Sequence, residues 1–217
     1  MGTNERINNY DTPAWFYDPL SALVFWGAQR RAQNAFIHLV PPGSKVLIAG
    51  GGTGKILEEL VRIHPGTLSV TYVEKSGKML SKARKRDHGD HQVQFVHAGI
   101  EDFAPTEPFD CLFTAFLFDN FTGGNARAIF SHLDGMLNQG GCWLYTDFRI
   151  NRASPVFHKL LLKMMYVLFR WLCRVEATWL PDMNFLFSEA GYRQQGEKKF
   201  YGAFIVARLL VKPAGKN

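Results

Sequence analysis

The stretch Val-Leu-Ile-Ala-Gly-Gly-Gly-Thr-Gly at residues 46–54, followed by Lys-Ile-Leu-Glu-Glu-Leu at 55–60, decides the fold. Its apolar beginning has the length of a buried parallel strand, and a helical pattern starts directly after the glycines. Glycine permits a tight turn and leaves no side chain between the backbone and a ligand. Because the first N–H groups of a helix are unpaired, this turn predicts a nucleotide-type site.

The spacing of the glycines can be compared with the patterns of three kinds of nucleotide site. A P-loop would require a glycine and a hydroxyl residue where the chain has Ala49 and Ile56. A dinucleotide fingerprint that starts at Gly50 would end at Lys55, which is too large for close helix packing. The pattern that remains is Gly-x-Gly-x-Gly at the end of the first strand. A purely structural turn and an NAD site both stay open at this point.

A carboxylate follows the glycines at a distance that suits a ribose. The β-branched run at 68–74 predicts a second strand that ends in Glu74. An acidic residue at this strand tip, about twenty residues beyond a glycine turn, can accept hydrogen bonds from both ribose hydroxyls. The alternative for Glu74 is an ordinary solvated strand end. A helix is expected to begin at Ser76, so strands and helices alternate.

The downstream half continues this alternation. Apolar runs predict further strands at 93–97, 109–116 and 142–148. A helix is expected over 126–137, with residues 138–141 as its stop. A closing hairpin is predicted from 191–199 and 203–210, which flank Tyr201-Gly202.

The order of these motifs resembles that of the class I S-adenosylmethionine-dependent methyltransferases over residues 40–211. The resemblance implies an α/β fold with a Rossmann-like, seven-stranded, mostly parallel sheet, an antiparallel last strand and helices on both faces. It implies S-adenosylmethionine as cofactor, with the glycine loop around the amino-acid end of this donor and Glu74 on its ribose. Family members often have Asp where this chain has Gly99. The resemblance therefore assigns the adenine contact to the neighbouring residues Ile100 and Glu101. The donor-binding residues predicted in this way are Gly50, Gly51, Gly52, Thr53, Gly54, Glu74, Lys75, Ile100, Glu101 and Phe116.

Length and composition are those of a single domain. A chain of 217 residues can bury about 70% of its unfolded surface. We expect an N-terminal helical cap at 1–40, a cofactor-binding core at 41–150, an amphipathic lid helix at 151–182, and a closing helix and hairpin at 183–211. The three cysteines show no pairing motif and the polar N-terminus has no apolar signal core, which favours a cytoplasmic location.

The net charge of +6 suggests an anionic partner, but the sequence disfavours nucleic acid. The basic cluster at 82–86 fits a solvated helix end. Methyltransferases of base amino groups carry Asp/Asn-Pro-Pro-Tyr/Phe after the fourth strand, whereas residues 114–117 are Thr-Ala-Phe-Leu. We therefore expect no nucleic-acid partner. We also expect no metal, since no His, Cys and carboxylate cluster has ligand spacing.

A second basic set lies on an apolar helix predicted within 155–174. Five residues that recur at steps of three and four share one face: Lys159, Lys163, Tyr166, Arg170 and Arg174. The uninterrupted apolar stretches are too short to span a bilayer. A lid, a homodimer face and a peripheral membrane contact all fit this pattern. Because the segment follows the fifth strand, it lies near the ligand edge of the sheet and implies a hydrophobic acceptor.

The chemistry follows from the donor, whose sulfonium methyl group is already activated. An enzyme then mainly aligns the two reactants and excludes water. A base is needed only if the acceptor is a phenol, a hydroxyl or an acidic carbon. The candidates are Asp119, His158 and Asp147, with Asp119 ranked first. Tyr17 joins the catalytic candidates because the paired Tyr-Asp units of 10–21 look like the entry segment of quinone-biosynthesis-type methyltransferases.

The function predicted from these features is methyl transfer to oxygen or carbon of a hydrophobic small molecule or lipid-like acceptor. One alternative is an N-methyltransferase of an aminophospholipid head group. Another is a regulatory protein that binds S-adenosylmethionine without catalysis.

Overall fold

The computed structural model describes residues 27–64, 66–121, 123–150, 155–158, 160–162, 164 and 180–215. Its centre is a seven-stranded sheet in the order β3-β2-β1-β4-β5-β7-β6. The strands are β1 (Lys45–Ala49), β2 (Ser69–Glu74), β3 (Gln92–His97), β4 (Phe109–Ala115), β5 (Leu137–Phe148), β6 (Arg193–Phe200) and β7 (Ile205–Val211).

The strand directions confirm the predicted fold class. The strand β1 pairs in parallel with β2 and β4, and Ala49 lies opposite both Val73 and Thr114. The strand β7 runs antiparallel to its neighbours β5 and β6. Because the parallel strands end together, the loops that follow β1, β2 and β4 gather at one edge of the sheet, where ligands bind in open α/β folds.

Helices cover both faces of the sheet. The helices α1 (Ala28–Gln33), α2 (Lys55–Ile63) and α3 (Gly77–Ala83) contribute apolar side chains to the core on one face. On the other face, the core contains apolar side chains of α4 (Gly123–Met136) and α5 (Met183–Glu189). Two short 3-10 helices lie at Ile37–Leu39 and Phe118–Asn120.

Some element boundaries differ from those predicted. The strand β5 begins at Leu137, directly after α4 ends, so residues 138–141 belong to the strand rather than to a helix stop. Gly140 accommodates a φ of 74° within this segment, which a residue with a Cβ rarely adopts. The helix α4 begins at Gly123, three residues before the predicted start at 126.

The predicted cap and lid are described only in part. The helix α1 lies within the cap, and residues 156–158, 160–162 and 164 of the lid are helical. Tyr17 and the lid cations Lys159, Lys163, Arg170 and Arg174 lie outside the residues or side chains that the structure describes. Within the described residues, no helix is both long and apolar enough to cross a membrane. The division into cap, core, lid and hairpin stays a prediction.

Lys212 ties the end of β7 to the end of α4. Its ammonium donates to the carbonyl oxygens of Asp134 at 2.6 Å and Leu137 at 3.1 Å. It also lies 3.3 Å from the Asp134 carboxylate. The cation therefore satisfies carbonyl groups that a helix C-terminus leaves unpaired.

We expect Lys212→Met to lower the free energy of unfolding by about 1–3 kcal/mol, because buried carbonyl groups lose a charged donor. Urea denaturation measures this change. The matched control is Lys199→Met, since the Lys199 side chain is 55% exposed and its ion pair with Glu197 spans 3.5 Å. An equal loss in both variants would show that Lys212 has no special anchoring role.

Candidate active site

A cavity of about 520 Å³ opens at the carboxyl edge of the parallel strands. Its walls come from the loops after β1, β2, β3 and β4, with one side formed by α1. Ten residues predicted to bind the donor or the acceptor line it: Gly50, Gly51, Gly52, Thr53, Glu74, Lys75, Ile100, Glu101, Phe116 and Asp119. The structure thus brings together most of the residues that sequence motifs singled out separately.

The glycines of the loop after β1 serve different purposes. Gly50, Gly52 and Gly54 adopt φ values of 68°, 65° and 80°, which are strained for other residues. A Cβ on Gly51 would lie 2.2 Å from the ring of the buried Tyr72. A Cβ on Gly54 would lie 2.6 Å from the Cα of Ala83, so this glycine permits close packing of α2 against α3. Gly54 is not a lining residue of the cavity.

Glu74 holds the glycine loop through its carboxylate. One oxygen accepts the Gly52 N–H at 2.8 Å, and the other accepts the Ser76 N–H at 2.8 Å. Burial raises the pKa of this carboxyl above its usual range, although the backbone N–H groups oppose that shift. Each carboxylate oxygen can accept a second hydrogen bond, so Glu74 retains capacity for a ligand hydroxyl. It is therefore not a solvated strand end.

Two further side chains hold this loop, and sequence reasoning assigned a role to neither. The Tyr72 hydroxyl donates to the Gly52 carbonyl at 3.0 Å. Arg86 donates to the Thr53 carbonyl at 3.1 Å and to Glu58 at 3.0 Å. The interpretation of the 82–86 cluster as a solvated helix end is therefore wrong for Arg86. A basic residue after a helix gives no sequence signal that separates these two roles.

In the loop after β3, the Glu101 carboxylate lies where a side chain of residue 99 would lie. A Cβ on Gly99 would come within 2.6 Å of the Glu101 carboxylate, so a side chain at position 99 would displace this carboxylate. Glu101 forms an ion pair of 2.5 Å with Lys75 across the ends of β2 and β3. Partial burial raises the pKa of Glu101, but the hydrogen bond and charge of Lys75 outweigh this and hold it below its usual range.

The loop after β4 has an unusual backbone. Phe116 adopts a φ of 53°, which is rare for an aromatic residue and often marks a functional position. The Asn120 side-chain amide donates to the carbonyls of Phe116 at 3.0 Å and Leu117 at 3.2 Å, and to Asp119 at 2.7 Å. This network fixes residues 116–120 against the cavity.

Asp119 is a titratable residue that lines the cavity just beyond the end of β4. It is partly exposed to the cavity, but the surrounding protein withdraws its carboxyl from bulk solvent. This burial raises its pKa well above the usual range, and the nearby charge of Asp147 raises it further. A carboxyl with a raised pKa is a better proton acceptor once ionised, so Asp119 has the character of a general base.

The helix α1 adds an ionic cluster that the sequence did not reveal. The carboxylate of the buried Glu59 accepts from Arg30 at 2.6 Å, Asn34 at 2.6 Å and Arg62 at 2.5 Å. Arg30 and Glu59 both line the cavity. Burial raises the pKa of Glu59, but its two arginine partners together hold it below the usual range. The cluster pins α1 against α2 and presents a cation at the cavity wall.

His158 lies away from the other candidates. Its ring is buried and stacks on Phe204 at a centroid distance of 5.0 Å, with Tyr201 at 6.0 Å. It does not line the cavity formed by the described residues. The structure therefore does not bring His158 together with Asp119, and its role as a base has no geometric support. Tyr17 lies outside the described residues.

The comparisons with known proteins agree with this architecture. Residues 46–141 match a family model described as a methyltransferase domain. A malonyl-[acyl-carrier protein] O-methyltransferase of Ilyobacter polytropus is 25% identical over 149 residues, which span 68% of this chain and 56% of that relative.

Solved structures share the fold at low identity. The Haloferax volcanii protein solved in complex with the Trm112 methyltransferase activator has a TM-score of 0.71 at 14% identity, over 97% of this chain and 99% of that chain. Human N-acetylserotonin methyltransferase in complex with S-adenosylmethionine has a TM-score of 0.66 at 22% identity, over 93% of this chain and 56% of that chain.

The sheet order and the glycine loop held by Glu74 agree with the family match. Residues 46–141 thus match a methyltransferase domain, and solved methyltransferase structures share the fold of this chain.

Proposed function

We propose that the protein transfers a methyl group from S-adenosylmethionine to oxygen or carbon of a hydrophobic small molecule or lipid-like acceptor. The observation that carries this proposal is Asp119, a carboxyl of raised pKa that lines the donor cavity. Apolar residues line the cavity around it: Phe113, Ala115, Phe116, Leu117 and Phe121. A base beside apolar walls suits an acceptor whose reacting atom carries a removable proton.

The charges around the cavity favour one orientation of the donor. Glu74 is available for the ribose hydroxyls, and Glu101 can accept a hydrogen bond from the adenine amino group. The glycine loop and Arg30 would then contact the amino-acid end, whose carboxylate is anionic. The methyl group would point toward Asp119, beyond the strand β4.

The proposed reaction requires one protein side chain, a carboxylate that accepts a proton. The acceptor atom attacks the methyl carbon as the sulfonium–carbon bond breaks, and S-adenosylhomocysteine leaves. The proton on the acceptor passes to the Asp119 carboxylate and later to solvent. The loops that hold the donor contribute alignment, which is the main demand of a reaction with an activated methyl group.

The adenine assignment gives a test at Glu101. We expect Glu101→Gln to raise the dissociation constant of S-adenosylhomocysteine roughly tenfold to a hundredfold, because a charge-assisted hydrogen bond is lost. Isothermal titration calorimetry measures this constant. The control is Glu107→Gln, which removes an equal charge from a side chain that is 67% exposed and paired with Lys45. Equal affinities in wild type and Glu101→Gln would refute the assignment.

The acceptor class is tested by incubating the protein with methyl-labelled S-adenosylmethionine and four probes. The probes are a long-chain alkylphenol, a fatty acid, a malonyl thioester and vesicles that contain phosphatidylethanolamine. We expect label on oxygen or carbon of an apolar probe. Label only on the phosphatidylethanolamine amine would identify an N-methyltransferase. Binding of the donor without transfer to any probe or lipid extract would favour the regulatory alternative.

We also propose that segment 155–174 contacts a hydrophobic partner and that the protein is cytoplasmic. Val156, Phe157 and Leu160 are 79%, 60% and 54% exposed, which is unusual for large apolar side chains. A peripheral membrane contact and a homodimer face make different predictions for this surface. Sedimentation with anionic vesicles tests the first, and the mass in solution tests the second. Val156→Asp combined with Leu160→Asp should abolish whichever contact is observed.

A further inference from the structure

Asp147, at the carboxyl end of β5, is a buried carboxylate that the proposed reaction does not consume. It is 2% exposed. One oxygen accepts the Phe118 N–H at 3.1 Å and the other accepts the Phe148 N–H at 2.8 Å. The Asp119 N–H also donates to it. These donors require an acceptor at this position, because an N–H group that is buried without a partner is costly.

Asp147 and Asn120 both hold the loop after β4, one as a hydrogen-bond acceptor and the other as a donor. Asn120 donates to carbonyls of this loop, whereas Asp147 accepts from its N–H groups. Phe116 keeps a φ of 53° between them, and its N–H donates to the Thr146 carbonyl on β5 at 2.8 Å. Such backbone strain persists only where the surroundings over-determine it. The position of Asp119 therefore depends on Asp147.

We propose that Asp147 is the positioning residue for Asp119, because it accepts N–H groups of the loop that carries this base and keeps a buried negative charge near it. The inference rests on the proposed function only in calling Asp119 the base. The charge relation between the two carboxyls is a property of the protein alone.

The surroundings of Asp147 support this relation. Burial raises its pKa to about 7, with the N–H groups of Phe148, Phe118 and Asp119 opposing that shift. Among the described residues, Tyr145 on β5, Arg208 on β7 and Asp182 before α5 also carry ionisable groups that interact in this region. Arg208 is bound to Glu197 at 2.9 Å, so its charge is largely compensated. The N–H donors favour the charge on Asp147, and this charge adds to the effect of burial in raising the pKa of Asp119.

The test compares Asp147→Asn with Asp110→Asn in the protein without added ligand. The control removes an equal charge at the opposite end of β4, where Asp110 accepts from the Lys45 N–H at 2.9 Å. The first readout is the carboxyl carbon resonance of Asp119, assigned by its loss in Asp119→Asn and followed against pH by NMR. We expect its midpoint to fall by at least ~0.5 pH unit in Asp147→Asn, since a like charge is removed, and to stay unchanged in the control.

The second readout is the pH profile of kcat with an accepted probe. We expect kcat to fall about 10-fold to 100-fold in Asp147→Asn through misplacement of the base, and its acid limb to move to lower pH. Asp147→Glu keeps the charge but moves it by one methylene, so the Asp119 midpoint should stay high while kcat falls. This variant replaces Asp147→Asn if the latter does not fold.

An Asp119 midpoint that is the same in wild type and Asp147→Asn would overturn the proposal, as would a midpoint that falls equally in Asp147→Glu. Because the NMR titration needs no turnover, it separates this outcome from failure of the proposed function. If the midpoint shifts as expected but no probe is methylated, the charge relation stands and the acceptor assignment fails.

Discussion

Asp119→Asn is expected to lower kcat by about 10²-fold to 10⁴-fold, which is the contribution of a general base. The dissociation constant of S-adenosylhomocysteine should stay within about twofold of wild type, because no donor contact is assigned to Asp119. The replacement keeps the Oδ1 atom that accepts from Asn120 at 2.7 Å, so the loop should keep its shape. Steady-state kinetics with an accepted probe, together with calorimetry, separates these two effects.

The same substitution should stabilise the protein at neutral pH. Burial and the charge of Asp147 raise the pKa of Asp119 in the folded state. The folded state therefore binds its proton more tightly than the unfolded state does, and stability falls as pH rises above the unfolded pKa of about 3.9. Asparagine does not ionise, so the gain in Tm of Asp119→Asn should be larger at pH 8 than at pH 5.

Two outcomes would contradict this account of Asp119. Wild-type kcat in the variant would show that no proton is removed in the rate-limiting step, as expected for a carboxylate acceptor. A variant less stable than wild type at pH 8 would show that the ionised Asp119 is favourably paired.

The second large effect is expected from Gly51→Ala. A Cβ at this position would lie 2.2 to 2.5 Å from three atoms of the Tyr72 side chain, which is fully buried. Overpacking of this kind typically costs about 1–3 kcal/mol of unfolding free energy. The Tyr72 hydroxyl also holds the Gly52 carbonyl, so a displaced ring should distort the donor loop. We expect S-adenosylhomocysteine binding to weaken at least ~100-fold, a loss of about 2.7 kcal/mol.

Gly135→Ala is the matched control for Gly51→Ala. Gly135 is an exposed residue of α4, and a Cβ added there would meet no atom within 4 Å. Alanine in a compatible helical position stabilises by about 0.4–1 kcal/mol. Urea denaturation and calorimetry on both variants give the comparison. Wild-type affinity in Gly51→Ala would mean that the loop tolerates displacement of Tyr72.

The sequence predicted the sheet and most of the residues that gather at the cavity because both depend on local patterns. The glycine loop, Glu74 and the alternation of apolar runs with helical patterns each lie within a short stretch of chain. The parallel strands then bring their ends together as a consequence of the fold. The seven-stranded sheet and the gathering of Gly50, Glu74, Glu101 and Phe116 around one cavity follow from these features.

What the sequence did not reveal depends on contacts between distant residues. Arg30 reaches Glu59, Tyr72 reaches Gly52 and Arg86 reaches Thr53, each across 20 or more positions. Charged and aromatic residues are common on helices and strands, so the residue type alone does not predict such a contact. His158 was predicted as a base from its place after β5; its ring packs on Phe204, outside the cavity that the described residues form, and a catalytic role for it stays a prediction.

The most direct test of the central claim is calorimetric titration of the protein with S-adenosylhomocysteine, with NAD as the control ligand. The donor-site geometry predicts saturable binding of S-adenosylhomocysteine in the micromolar range, roughly −8 kcal/mol, and no binding of NAD. Loss of this binding in Gly51→Ala and its retention in Gly135→Ala would place the ligand in the glycine loop. Binding of NAD alone would contradict the methyl-donor site.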